Sequence, residues 1–435
     1  MSGEAIAGIQ ARQILDSRGR PTLEASVLLA GGASGRASVP SGASTGRHEA
    51  VERRDGDPAR YGGRSVQGAV AAVVQEIAPA LRGAQAGDQA AIDRSLIELD
   101  GSVDKSRLGA NAILAVSLAC ARATANARGV PLWRALGGEE IALLPMPMVN
   151  MISGGAHASG GLDFQDLLAI PLGASSVAEA LEMCVAVRDA LGGQLLARGL
   201  STLKGDEGGF APSLPSHEAA CSLLVESIAA AGFAPGADVA LAWDVAANEL
   251  YDPDRNAYTL RAEGRVLDAA ALVELLDELV QRYPIVSIED PLAEDDWDGW
   301  RLATERLGGR IQLIGDDLFV TNPQRLARGI EQATANAVLV KMNQIGTLSE
   351  TLAVVAQAKA AGYATIVSAR SGETEDSALA DLAVAAEAGQ IKVGSVAQSE
   401  RLAKYNRLLR LEDELGPDRS RFAGASALAG WSAGR

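Results

Sequence analysis

The chain has 435 residues, 48% of them hydrophobic and 22% charged, with a formal net charge of −16. That length allows two domains with ordinary cores. A surface this acidic has no basic face with which to displace counterions from nucleic acid or anionic lipid, so neither is an expected partner.

No run of about 18 apolar residues is present to span a membrane. Residues 1–16 lack a basic stretch followed by an apolar one, so no secretory leader is expected. The cysteines, Cys120, Cys184 and Cys221, are odd in number and have no CxxC partner. They read as small buried hydrophobes of a reduced, cytoplasmic compartment. A negative chain that binds an anion must gather Lys, Arg or metal ions at one spot, and the motifs show where.

Strand-like runs near 23–29 and 35–39 open the chain. A helix is predicted over 109–128, where Ala, Leu and Val dominate and suit burial. Gly137 and Gly138 stop a further short helix, and Pro145 and Pro147 punctuate the apolar segment that follows. These signals divide the chain into an N-terminal domain over 1–140 and a second domain over 141–435. In the second, apolar runs at 239–243, 285–288, 312–314, 337–340, 364–367 and 390–393 alternate with helical patterns. Leu272, Leu275, Leu276 and Leu279 share one helix face, with Asp268 placed as N-cap. Leu348, Leu352 and Val355 do the same, and Gly362 ends that helix. Repeated βα units favour a (β/α)₈ barrel over an open sheet. The tail after Gly416, rich in Ser, Gly and Ala, predicts partial disorder.

Several strands finish in charge. Asp244, Glu289 and Asp316 each follow an apolar run, and in a barrel such ends converge at one mouth. Three hard oxygen ligands on rigid strands suit Mg²⁺, although a carboxylate after a strand also serves as an ordinary helix N-cap. Lys341 and Lys392 end two other strands. A lysine at the end of an apolar strand is costly to desolvate unless anions surround it, and such a group can lose its proton and act as a base, whereas a lone one more often snorkels to solvent. Glu207 sits within the glycine-rich turn 205–210, and Ser44 lies in a flap-like run, 41–46. Arg370 and Ser371 follow a strand, where a forked guanidinium matches phosphate. His157 is one of three histidines, and on its own it reads as a structural group.

The runs ILDSRG at 14–19, VPSGASTG at 39–46, GANAIL at 109–114 and GDEGGFAP at 205–212 resemble the enolase (phosphopyruvate hydratase) family. So do SIEDP at 287–291, GDDLFVTN at 315–322, KMNQIGT at 341–347, RSGETED at 370–376 and AKYN at 403–406. The resemblance implies a small α+β domain capping a modified (β/α)₈ barrel that begins ββαα. It implies a Mg²⁺-dependent dehydratase acting on a small phosphorylated or phosphono acid, and a homodimer or higher homo-oligomer. Asp244, Glu289 and Asp316 would hold a first Mg²⁺, with Ser44 joining substrate around a second that arrives with it. Lys341 would be the base, Glu207 the acid for the departing hydroxyl, and Lys392 the partner of the substrate carboxylate. Arg370 and Ser371 would grip phosphate, with His157 nearby and Gln165 near the carboxylate. The enolase superfamily is itself a standard example of a Lys or His base working with one or two Mg²⁺ ions.

The chain departs from the family at identifiable places. Asp166 stands where the family has glutamate, shorter by about 1.5 Å of reach, and would work with Glu207 on the hydroxyl. Ala369 replaces a histidine, Ser153 an asparagine, Gln398 an arginine and Arg20 an asparagine. Three readings stay open at this stage. The chain is a dehydratase of 2-phosphoglycerate; or of a bulkier analogue, as in carboxyphosphonoenolpyruvate synthase of phosphonate antibiotic pathways, with Ala369 making room; or a non-catalytic binding protein. Retention of both lysines, the three metal ligands and Glu207 argues against the last.

Overall fold

The structure is a computed structural model, and it describes residues 3–137, 140–158 and 161–431. Near the N-terminus, Ile6–Leu15, Pro21–Leu29 and Ser34–Ser38 form an antiparallel sheet. Leu23, Ala25, Val27 and Leu29 alternate inward from the middle strand, and the buried helix Ala110–Arg128 covers that face. The first strand gives no alternating signal in the sequence, because only Ile6 and Ile9 along it are buried. Helix Leu132–Ala135 stops ahead of Gly137, while Gly138 lies outside the described residues.

The rest closes into an eight-stranded barrel. Around it run Ile285–Glu289, Gln312–Gly315, Ala337–Val340, Ala364–Ser368, Gly389–Gly394, Met146–Ser153, Asp166–Ile170 and Ala240–Asp244. Met146, Met148, Leu168, Ile170, Ile314 and Leu339 pack its interior. Six of these strands match the apolar runs read from sequence. Met146–Ser153 and Asp166–Ile170 do not, and the second of them runs antiparallel to both neighbours. The helices Val177–Ala197 and His217–Ala230 follow it, so the barrel starts ββαα as the resemblance implied, rather than with the simple alternation. The reversal has a consequence for the site. Asp166 begins its strand, yet it lies opposite Asp244 and Ser153 at the mouth where the other strands end.

The predicted helix details hold. Asp268 caps Ala269–Arg282 by accepting from the Ala271 N–H at 2.8 Å, and Leu348–Ala360 ends just before Gly362. The tail after Gly416 is ordered over most of its length. Ser420–Phe422 pairs in parallel with Ala142–Leu144, and Leu428 is buried against the barrel's interior cluster. Backbone pairing and apolar burial order this segment as far as residue 431, while residues 432–435, on which the expected partial disorder also falls, lie outside the described residues. Among the described residues no helix is long and apolar enough to cross a membrane.

Candidate active site

Asp244 and Glu289 end adjacent parallel strands and are partners in register. Lys392 reaches between them, its Nζ 2.7 Å from Asp244 Oδ2 and 2.8 Å from Glu289 Oε2. Gln165 Nε2 donates to the same Asp244 oxygen at 3.1 Å. Asp316 follows its strand directly; one oxygen accepts from Lys341 Nζ and the other from Gln344 Nε2 at 2.8 Å. Three carboxylates and two ammonium groups thus alternate across one mouth, all buried or nearly so.

These charges shift one another. Burial disfavours the ammonium of Lys392, but Asp244 and Glu289 outweigh it and push its pKa well above the ordinary lysine value. Burial opposes Lys341 likewise, and Asp316 more than compensates, so its pKa lies above the ordinary lysine value. Glu289 is pushed well upward, by burial first and then by the Asp244 charge.

On one side of the mouth lies the flap. Ser41 and Gly372 exchange backbone hydrogen bonds of 2.8 and 2.9 Å, which dock the flap on the turn carrying Arg370 and Ser371. Arg370 donates to Glu49 at 3.0 and 3.1 Å and to the Ser44 carbonyl at 2.9 Å. The chain passes close enough for this because residue 42 is glycine; a Cβ there would overlap the Arg370 guanidinium. Arg18 donates to Ser371 Oγ at 3.1 Å and to the Ser41 carbonyl at 2.9 Å. Beneath the turn, buried Arg401 donates to the carbonyls of Arg370 and Ser371, each at 2.6 Å. At its far end the flap is tied down by Arg47, 2.6 Å from both Glu294 and Asp295.

Opposite stand His157, Asp166 and Glu207. His157 Nδ1 lies 2.8 Å from Asp166 Oδ2, and its Nε2 lies 3.9 Å from Glu207 Oε1. The other Asp166 oxygen accepts from Asn150 Nδ2 and, at 3.2 Å, from Ser153 Oγ. Glu207 is pinned from behind, its carbonyl accepting from the Ser395 N–H at 2.8 Å. At Gly205 a Cβ would sit 2.8 Å from the His157 carbonyl oxygen, so the turn can approach only without a side chain. Burial works against charge on His157, yet Asp166 and Glu207 raise its pKa to about 9. For Glu207 burial pushes upward, and His157 and Arg401 pull it below the usual carboxylate range.

Family comparison agrees with this architecture. The model for the enolase N-terminal domain matches residues 6–136, and that for the enolase C-terminal TIM barrel domain matches residues 141–430. An enolase of Acidothermus cellulolyticus is 56% identical over 432 residues, which is 99% of each chain. The chain belongs to the enolase family.

For this enolase-family chain the metal question can be put to the donor set itself. Glu289 Oε1 and Gln165 Oε1 are buried and have no hydrogen-bond partner among the described residues. An unpaired carboxylate oxygen beside two further acids fits a hard, oxygen-seeking cation. Among the described residues, three groups bring candidate ligand atoms within 4.8 Å of one another: His48–Glu294–Asp295, His157–Asp166–Glu207 and Asp290–Asp316–Asp317. The strand-end trio Asp244–Glu289–Asp316 is not among them, and Lys392 and Lys341 sit on its members. Sequence reading missed Asn150, Glu49, Arg18, Gln344 and Arg401. Arg18 and Gln344 lie inside quoted motifs, where they were legible. Glu49 and Arg401 each lie three residues beyond a noted position, and Asn150 lies on a strand that went unread.

Proposed function

We propose that the chain removes water from 2-phosphoglycerate to give phosphoenolpyruvate. The observation that carries this reading is the gathering of Lys341, Glu207, Lys392 and the three strand-end carboxylates around one barrel mouth. The 56% identity to a full-length enolase favours 2-phosphoglycerate over the carboxyphosphono analogue, and Ala369 alone supplies no observation for the larger substrate.

Asp244, Glu289 and Asp316 would hold Mg²⁺, with Ser44 on the flap contributing to a second ion. When bound, the metal supplies concentrated positive charge beside the substrate carboxylate. That carboxylate matters because taking the neighbouring C2 proton places a second negative charge on it. A unit charge pair at 4 Å is worth about 4 kcal/mol at an effective dielectric of 20, and Lys392 supplies one such pair. Lys341 takes the C2 proton. To do so it must first be neutral, so Asp316 has to give up its hold on the Lys341 ammonium. The C3–oxygen bond then breaks, and the hydroxyl leaves as water with a proton delivered from the Glu207 side. Arg370 and Ser371 bind the phosphate in a turn that Arg401 stiffens and the flap covers.

The test is a coupled assay for the ultraviolet absorbance of the enol product, run with Mg²⁺ and again after chelation. Turnover of 2-phosphoglycerate that stops on chelation is expected. Turnover only of an analogue bearing a carboxylate on phosphorus would overturn the substrate assignment. Binding of phosphoglycerate without turnover would overturn the enzyme itself. The double variant Asp166→Glu with Ala369→His probes the two departures: unchanged activity would show that neither sets specificity.

A further inference from the structure

Two of the departures from the family pattern touch each other. Ser153, in place of an asparagine, and Asp166, in place of a glutamate, are register partners on adjacent antiparallel strands, with Ser153 Oγ 3.2 Å from Asp166 Oδ1. Asn150 Nδ2 donates to the same oxygen and also to Ser153 Oγ, at 3.1 Å. One Asp166 oxygen is therefore occupied by two donors, and the other lies 2.8 Å from His157 Nδ1. A carboxylate buried and engaged in this way, on a side chain one methylene shorter, is held back from the mouth rather than extended into it.

We propose that Asp166 is a positioning residue, fixed by Ser153 and Asn150, which sets the ring orientation and tautomer of His157 so that Nε2 faces Glu207. This rests on the dehydratase reading for its kinetic part, but the geometry stands without it. Nδ1–H of His157 donates to Asp166, which leaves Nε2 as the atom turned toward Glu207. A ring held by one nitrogen in this manner has its tautomer and direction decided by the partner. The groups that face His157 are Asp166 from the start of its strand, Glu207 from the glycine-rich turn, and Asp244 from the strand paired with that of Asp166; Lys392 acts in turn on Asp166 and Glu207. Burial pushes the Asp166 carboxyl above its ordinary value although His157 pulls it down. The proton on this pair sits next to the group that must deliver one to the leaving hydroxyl. Ser153 and Asp166 act as one unit: the short acid needs the small hydroxyl behind it to keep its second oxygen aimed at the ring.

The experiment is an NMR titration of the imidazole signals together with pH profiles of kcat and KM. With only three histidines in the chain, the signals are assignable by single substitution. In Asp166→Asn the His157 midpoint is expected to fall by roughly 1–3 pH units, because the charge favouring the imidazolium is gone. The signals of His48 and His217 should stay in place. kcat is expected to drop on the order of a hundredfold, the penalty for a misplaced group, with its alkaline limb moved to lower pH and KM little changed. Ser153→Ala should move both readouts in the same direction by less, which keeps the proposal open to refutation if Asp166→Asn does not fold. A His157 midpoint unmoved in both variants would overturn it. So would a raised KM at unchanged kcat, since Asp166 would then meet substrate directly. Absence of turnover in the unmodified protein would sink the dehydratase reading alone, and the titration would still decide the link between Asp166 and His157.

Discussion

Lys392 Nζ lies 2.8 Å from Glu289 Oε2, while Oε1 of the same carboxylate has no hydrogen-bond partner among the described residues. One lysine therefore neutralises part of a buried acidic pair and leaves the remainder of its coordination unmet. Replacing it by Lys392→Met strips the cation from Asp244 and Glu289 together. Breaking a buried ion pair by removing one partner costs about 3–5 kcal/mol. The loss is expected in full in metal-free protein and should be largely recovered in saturating Mg²⁺, because a ligand of the folded state stabilises it by mass action. Chemical denaturation of wild type and variant, with and without Mg²⁺, reads this directly. Equal destabilisation in both conditions would mean that lysine and metal do not share the carboxylates.

Lys341 offers a sharper kinetic test. Its ammonium rests on Asp316, whose other oxygen is fixed by Gln344 at 2.8 Å. With Lys341→Ala the group assigned to the C2 proton is gone while the phosphate grip at Arg370 is untouched. Exchange of the carbon-bound proton with deuterated solvent should vanish, and substrate binding should persist. Exchange that continues at the wild-type rate would take the base role away from Lys341.

How far the sequence anticipates this arrangement depends on what each residue's signal is made of. The barrel strands that lead to Asp244, Glu289, Asp316 and Lys341 were legible because each is a short apolar run closed by a charge, flanked by helical periodicity; Lys392, expected at a strand end, lies instead within the strand Gly389–Gly394. Asp166 was legible only through the family resemblance. It opens its strand rather than closing it, and nothing in local composition reports that the strand is reversed. Periodicity describes a segment's own faces, whereas strand direction is a property of its pairing. The same limit hid Asn150, which acts through a hydrogen bond to a residue sixteen positions away. Protonation was the other blind spot. Burial of Lys341 was readable, but the partner that reverses the effect of burial became visible only with Asp316 in place. The order of the described part of the tail was hidden for a related reason, since it comes from pairing with Ala142–Leu144 and not from its own composition.

The flap carries an anion of its own. Glu49 engages Arg370 through two hydrogen bonds, 3.0 and 3.1 Å, so a carboxylate already lies against the guanidinium assigned to substrate phosphate. Incoming phosphate and Glu49 should then compete. With Glu49→Gln the competing charge is removed while the side chain keeps its shape. Inorganic phosphate is expected to bind several-fold tighter, in line with an exchange of about 1 kcal/mol, and calorimetric titration measures it. Weaker binding would show that Glu49 supports Arg370 in its phosphate-binding position instead of competing for it.

Behind the acid side of the site, His217 stacks on Phe164 with ring centroids 3.8 Å apart and accepts at Nε2 from the Phe164 N–H at 3.2 Å. Its Nδ1 therefore carries the proton and donates to Glu263 Oε1 at 2.6 Å. This hydrogen bond, with the one from the His217 backbone N–H at 3.0 Å, holds the Glu263 carboxyl down to about 2 against the upward push of burial. A carboxylate depressed in the folded state contributes stability that is complete above its unfolded pKa of about 4.3, and that contribution fades as pH falls toward about 2. Glu263→Gln is expected to cost about 1.5–3 kcal/mol at pH 7, the range for a hydrogen bond to a charged group. The difference between variant and wild type should hold constant down to about pH 5 and then shrink steadily through the acid range. Because the other acidic groups titrate alike in both proteins, urea unfolding at a series of pH values isolates this one. A difference that stays fixed into the acid range would mean that Glu263 supports the Phe164 segment by shape alone, without its charge.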